Sequence, residues 1–254
     1  MNKYIYALAS ILLLLQSCAS KKDILYFQDS TEYISSRIEY TGSLIQPNDI
    51  LSITVGAKVP ETVIPYNIQQ LGTNSMSNIE TMKLQGYLVS PQGTIVFPVL
   101  GEIPVVNKST SELEQELKNV LEIGGHLLNP TVSIRLLNAK VTVLGEVNKP
   151  GTYSFTEQYL TLPQALGYAG DLTINGKRKD IILIRESLGI RTIKHLDLTT
   201  TDWMNNPDYT IRQNDVLVIN PNNSKVKTSG YIGNAATILT IASLVLSSVI
   251  LLTR

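Results

Sequence analysis

Residues 141–153 read Val141-Thr142-Val143-Leu144-Gly145-Glu146-Val147-Asn148-Lys149-Pro150-Gly151-Thr152-Tyr153. The run opens with alternating apolar and polar residues, the period of a strand with one buried face. Gly145 and Gly151 then stand where a chain must turn or pack closely. The same texture continues on both sides. Ile50–Val55, Thr131–Leu136, Ile181–Ile184 and Val216–Ile219 are short Val/Ile/Leu runs of the same kind, separated by Gly and Pro. The expected fold class is α+β, with a β-rich body.

Two helices interrupt the strands. Ser109 with Glu112, and Ser111 with Glu114, have capping-box spacing. Behind them Leu113, Leu117, Val120 and Leu121 form an apolar stripe that ends at Gly124-Gly125. The second helix runs from about Leu162 to Ala169, with Thr161 as cap, Pro163 in its first turn and Gly170 as stop. Gln69 to Gln85 is polar and poorly periodic, and reads as a long exposed loop.

One pattern occurs twice. Ile45-Gln46-Pro47-Asn48-Asp49-Ile50-Leu51-Ser52-Ile53 resembles Ile211-Arg212-Gln213-Asn214-Asp215-Val216-Leu217-Val218-Ile219. Each is a turn followed by a strand, so Asp49 and Asp215 are expected as turn formers whose side chains bond nearby backbone.

The two ends differ from the body. Lys3 supplies a short basic region and Ile11-Leu12-Leu13-Leu14-Leu15 an apolar one. Ser17 then stands directly before Cys18, the one Cys among 254 residues. This resembles a bacterial lipobox: residues 1–17 would be a signal peptide, Cys18 the lipidated residue and 18–40 a linker. At the other end no charge occurs from Ile232 to Leu252, long enough on length alone to span a hydrocarbon core. Asn234, Thr237, Thr240, Ser243, Ser247 and Ser248 fall on one half of the helical circumference. Leu239, Ala242, Leu246 and Val249 lie on the other. A plain anchor, a buried core helix and a helix with lipid on one side and water or a neighbour on the other all compete. The stripe favours the last, so residues 231–253 are expected to be a C-terminal membrane-spanning helix with a polar and a lipid face.

Composition limits the chemistry. Twenty-one Lys and Arg balance 21 Asp and Glu, so there is no charge excess for nucleic acid. One Cys excludes a cysteine metal cluster and two His argue against a multi-His centre, so the expectation is no metal and no cofactor. There is no Gly-rich loop followed by Lys-Ser/Thr. Gly124-Gly125 closes a helix instead of opening one, the wrong end for an anion. Asp197 would share a strand face with His195, but no nucleophile can be placed beside them. His126, Glu102 and Glu146 form no readable acid–base pair. The expectation is a protein without catalytic residues.

Several motifs in order carry a family resemblance. Ile45–Val55, Gly86-Tyr87-Leu88-Val89-Ser90-Pro91-Gln92-Gly93-Thr94-Ile95-Val96-Phe97-Pro98-Val99-Leu100-Gly101-Glu102-Ile103, the helix from Ser109 and Asn129-Pro130-Thr131-Val132 resemble the polysaccharide biosynthesis/export domain, over 41–138. The 141–153 run, Leu162, Ala165-Leu166, Ala169-Gly170 and Ile181–Arg185 resemble an SLBB domain, a β-grasp module, over 139–222. With the lipobox, the whole is similar to the outer-membrane polysaccharide export lipoproteins. That resemblance implies a homo-oligomeric outer-membrane channel passing capsular or extracellular polysaccharide. It also implies a body facing the periplasm and an inner-membrane polysaccharide co-polymerase or tyrosine kinase as partner. The competing reading is an anchored periplasmic glycan-binding or scaffolding lipoprotein without a pore. The single Trp, Trp203, and scattered Tyr residues offer little aromatic platform for a tight sugar site.

Overall fold

The structure is a computed structural model and describes residues 21–32, 35, 42–68, 79–187, 189–228 and 235–252. Two hydrophobic cores follow one another along the chain.

The first core is built around β1 (Ile50–Gly56), the middle strand of an antiparallel sheet between β2 (Tyr87–Leu88) and β5 (Thr131–Leu136). β3 (Thr94–Phe97) and β4 (Gly101–Pro104) form a hairpin beside it. Residues 79–84, inside the stretch expected as a loop, form the short helix α1 (Ile79–Leu84). A Glu80–Lys83 ion pair of 2.9 Å lies on its surface. Residues 69–78 of that stretch lie outside the described residues.

α2 (Thr110–Ile123) starts as its sequence predicts. The Ser109 hydroxyl accepts from Glu112 N, and the Glu112 carboxylate accepts from Ser109 N at 2.7 Å. Leu113, Leu117 and Leu121 are fully buried against the sheet. Each such side chain stabilises by roughly 1.5–3 kcal/mol relative to exposure. Val120 lies at the margin of the expected stripe and remains 44% exposed.

The second core lies under a five-stranded sheet in the order β10-β9-β12-β6-β7. Its strands are β6 (Lys140–Gly145), β7 (Gly151–Ser154), β9 (Gly176–Ser187), β10 (Ile190–Leu196) and β12 (Val216–Pro221). β12 runs parallel to β6 and antiparallel to β9. Gly145 pairs with Ile219 at φ +92°, and a Cβ there would stand 2.0 Å from the Ile219 carbonyl oxygen. That close approach is why glycine ends the opening run. β8 (Leu160–Thr161) pairs with β11 (Thr210–Ile211) at the rim. α3 (Leu162–Tyr168) follows with its own capping box, Thr161 with Gln164. Its Leu162, Ala165 and Leu166 belong to the same core as Val141, Val143, Ile181, Leu183 and Leu217.

α4 (Asn223–Thr228) and α5 (Ala235–Leu252) close the described chain. The expected C-terminal membrane-spanning helix is overturned, because no helix among the described residues is long and apolar enough to cross a membrane. α5 has 18 residues. At 1.5 Å per residue that is about 27 Å, short of the roughly 30 Å hydrocarbon core. Polar hydroxyls dilute even that length.

Candidate functional site

The two copies of the repeated turn meet where the two cores join. In the first, Asp49 Oδ2 accepts from Gln46 N at 2.7 Å; in the second, Asp215 Oδ2 accepts from Arg212 N at 2.8 Å. The middle residue, Asn48 or Asn214, is left-handed in each, at φ +69° and +62°. Both carboxylates are turn formers, as the sequence predicts. Both are also buried, which their turn role alone does not require.

Gln213 links the two turns. Its Nε2 donates to Asp49 Oδ2 at 2.6 Å and to the Leu44 carbonyl at 3.3 Å. In the other direction Gln46 Nε2 donates to the Glu186 carbonyl at 3.1 Å. Asn138, on the short connection between the cores, accepts from Ile50 N and donates to the Asn48 carbonyl, both at 2.9 Å. Burial pushes the Asp49 carboxyl up to about 6, opposed by the Gln46 and Gln213 donors. Neither donor carries a full charge, so desolvation wins.

Arg185 serves the second turn. Its guanidinium forks onto Asp215, Nε to Oδ1 at 2.9 Å and one Nη to Oδ2 at 2.7 Å. It also donates to Asp208 Oδ1 at 3.0 Å and to the Thr210 carbonyl. Lys194 Nζ reaches the other Asp208 oxygen at 2.6 Å. Arg185 and Lys194 therefore pair with two buried carboxylates, with the charge of Arg212 nearby, and the cluster fixes β9, the 207–209 turn and the turn that leads into β12 to one another.

Residues 21–32, within the expected linker, dock on the second core. Phe27 N and Gln28 N donate to the Leu198 and Thr199 carbonyls. The Phe27 ring stacks on Trp203 at 5.7 Å, and Trp203 on Tyr209 at 5.5 Å. Tyr26 donates to Asp171 at 2.7 Å and lies under the Arg178 guanidinium. Asp29 accepts from Thr201 N and its hydroxyl. Trp203 is thus a packing anchor for the N-terminal segment, 5% exposed.

Other residues singled out from sequence fall into ordinary roles. His195 Nδ1 meets Asp180 Oδ1 at 2.5 Å instead of Asp197, which caps Thr199. His126 meets the Tyr66 hydroxyl at 3.3 Å. Glu102 accepts from Thr94, and Glu146 from Thr173. Cys18 and Asn234 lie outside the described residues, as do the side chains of Leu246 and Val249. Thr237, Leu239, Thr240, Ala242, Ser243 and Ser247 are on α5. Ser243 donates to the Thr240 carbonyl and Ser247 to the Ser243 carbonyl. These two hydroxyls bond within their own helix. Gln213, Arg185 and Asp208 escape a sequence reading. Gln213 alone had a signal, its place inside the repeated turn.

A family model described as polysaccharide biosynthesis/export protein matches residues 39–137, and the SLBB domain model matches 140–190. Asn138 and Ala139 fall between them, at the junction just described. The chain is 28% identical over 201 residues to the EPS I polysaccharide export outer membrane protein EpsA of Ralstonia solanacearum, covering 77% of this chain and 52% of that protein. It is 26% identical over 199 residues to the capsule polysaccharide export outer membrane protein CtrA of Neisseria meningitidis serogroup A, covering 76% and 48%. Over a shorter 96 residues it is 31% identical to the exopolysaccharide production protein ExoF of Rhizobium meliloti, 36% of this chain and 23% of that one. The chain spans about half the length of the first two relatives. An export domain followed directly by an SLBB domain, together covering more than half of the sequence, places the chain in the outer-membrane polysaccharide export family.

Proposed function

We propose that this chain is a subunit of an oligomeric assembly that exports capsular or extracellular polysaccharide across the outer membrane. The observation that carries the reading is the order of the two matched domains, together with the similarity to relatives named for polysaccharide export at that membrane. The body faces the periplasm. A lipid on Cys18 attaches it to the outer membrane, supported by Ser17-Cys18 after an apolar run. Three residues of chain from Cys18 to the docked segment at Lys21 can reach at most about 10 Å. The anchor therefore holds the SLBB domain near the membrane and leaves the export domain deeper in the periplasm. There it faces an inner-membrane co-polymerase or tyrosine kinase. Identical copies related by rotation close into a ring around the cargo.

The test is a deletion strain complemented with wild-type or Cys18→Ala protein. Surface polysaccharide is measured, and the detergent-extracted assembly is weighed by native mass spectrometry. The expected result is loss of surface polymer on deletion, rescue by wild type, a mass that is a multiple of the subunit, and release of the Cys18→Ala protein from membranes. Undiminished surface polymer in the deletion strain overturns the export reading, and a monomeric mass overturns the assembly.

A further inference from the structure

The five-stranded sheet has two unlike ends. Lys140 opens β6, the 212–215 turn leads into β12, and the Glu186 carbonyl near the close of β9 accepts from Gln46 of the export domain. That end is the junction. Gly145 pairs with Ile219 and Gly176 with Pro221. The close of β6, the close of β12 and the start of β9 therefore lie together at the opposite end.

Three segments collect there. Asp23 meets Lys179 at 2.9 Å and Tyr26 donates to Asp171, which brings the start of the docked N-terminal segment to this end. The 173–175 turn leads into β9, held by Thr173 N on the Glu146 carbonyl and by Arg178 on the Thr173 carbonyl. α4 follows β12, and Asn222 N donates to the Asn175 carbonyl at 2.7 Å. Each segment carries one apolar side chain to the surface: Leu25 is 49% exposed, Ile174 60% and Val226 58%. None of the three belongs to the second core.

Charged groups surround them. Lys22, Lys177, Lys179 and Lys225 are exposed. The carboxylates are engaged: Asp23 by Lys179, Asp180 by Lys177, Glu146 by Lys225, and Asp171 by Tyr26. The surface therefore does not repel phosphate as an open acidic patch would. Lysine stems lie along apolar surface and lift their ammonium groups into a polar layer. Apolar tips among lysines match the layering of a phospholipid interface, acyl chains beneath and phosphates above. A single exposed apolar residue needs no explanation. What sets these three apart is where the chain leads. Lys21 opens the docked segment at this end, and Cys18 lies within about 10 Å of chain from it.

We propose that this end of the SLBB domain rests on the periplasmic face of the outer membrane, with Leu25, Ile174 and Val226 dipping into the phospholipid interface. The inference deepens the proposed function and rests on its Cys18 anchor for bringing the protein to the bilayer. The three side chains then set which face the domain presents, and the sheet points the junction and the export domain away from the membrane.

The test uses the full chain, reconstituted into vesicles of phosphatidylethanolamine and phosphatidylglycerol. Asn223→Cys on α4 carries an environment-sensitive fluorophore, and nitroxides on the lipid headgroups quench it. Ile123→Cys and Leu128→Cys, exposed where β5 of the export domain begins, are the references. Quenching at 223 is expected to exceed that at both references several-fold. Replacing Leu25, Ile174 and Val226 together by Asp is expected to at least halve it, and replacing them by Ser to act in the same direction without added charge. Circular dichroism and Trp203 fluorescence are expected to stay unchanged in both, because all three side chains are exposed. Equal quenching at the three labels overturns the proposal, as does quenching at 223 that both triple variants retain. Vesicle flotation and intact mass read the anchor separately. An acylated, vesicle-bound protein without the difference loses the contact surface and keeps the anchor; an unacylated protein that shows it loses the anchor and keeps the surface.

Discussion

Residues 46–49 and 212–215 make the same turn with the same internal hydrogen bond and the same left-handed asparagine, yet their aspartates are neutralised differently. Asp215 is gripped by a guanidinium from the adjacent strand; Asp49 has a backbone amide and the neutral Gln213 side chain. Burial raises both carboxyls, and at Asp215 the charge of Arg185 opposes that rise. The local turn is therefore a matter of sequence, while the cost of burying its carboxylate is decided by what the rest of the fold brings alongside. The second turn is locked inside its own domain. The first is completed across the junction, which makes it the more sensitive of the two.

The largest test of this contrast is Arg185→Met. It leaves Asp208 and Asp215 buried, with Lys194 paired to Asp208 and Arg212 acting on both carboxylates only through its charge. Removing one partner of such a cluster typically costs about 3–5 kcal/mol. The SLBB domain is expected to unfold at much lower urea, followed through Trp203 fluorescence, whose ring lies in that core. A shift below about 1 kcal/mol would show that Arg185 does not hold the second turn.

This cluster also shows where the sequence stops being informative. Strand periods and caps are local, so Ile50–Gly56, Thr131–Leu136 and the Ser109 capping box were legible from residues a few places apart. The pairing of β9 with β12 is not local. It places Val216 opposite Ile184 and so brings Arg185 to Asp215, a contact across 30 positions. Gln213 reaches Asp49 across 164. The C-terminal segment misled for a different reason. An uncharged run from 232 to 252 counts as membrane-length only if the whole of it is apolar helix. The described helix begins at Ala235, and Thr240, Ser243, Ser247 and Ser248 lie along it.

The second test is pH. Asp49 has a folded-state value near 6 against an ordinary 3.8. A carboxyl raised on folding binds its proton more tightly in the folded state. Its contribution to stability is therefore complete below about pH 4 and is lost as pH rises through 6. That difference corresponds to at most about 3 kcal/mol. Urea midpoints of wild type are expected to fall between pH 4.5 and 7, and those of Asp49→Asn to fall by distinctly less. Asp215→Asn is expected to behave differently, losing stability across the whole range, because it weakens the hold on a buried guanidinium. Parallel pH profiles for wild type and Asp49→Asn would remove the assigned difference between the two turns.

Gln213→Ala comes next in size. It deletes the bridge to Asp49 and Leu44 without touching Arg185. A hydrogen bond to a charged group is worth about 1.5–3 kcal/mol, and the buried Asp49 would then retain its Gln46 backbone donor. The expected outcome is a loss of about 2 kcal/mol confined to pH values where Asp49 is ionised, together with faster amide exchange at residues 44–49. Equal destabilisation at pH 4.5 and 7 would mean that Gln213 acts through packing.

The smallest effect tests whether the turns are alike where their sequences are alike. Asn48 and Asn214 are both exposed and both left-handed, and neither side chain takes part in neutralising its neighbouring aspartate. An alanine must hold the same positive φ with its Cβ crowded against the following carbonyl, at about 1 kcal/mol. Asn48→Ala and Asn214→Ala are therefore expected to lose about that much each, and the corresponding glycine variants close to nothing. The one asymmetry is a long contact of 3.5 Å from Asn214 Nδ2 to Gln46 Oε1, at the outer limit of a hydrogen bond and exposed to water. Equal midpoints for the two alanine variants would confirm that backbone conformation alone sets the cost. A clearly larger loss at Asn214 would give that contact a part in joining the domains, and the second turn would then contribute to the junction through two side chains instead of one.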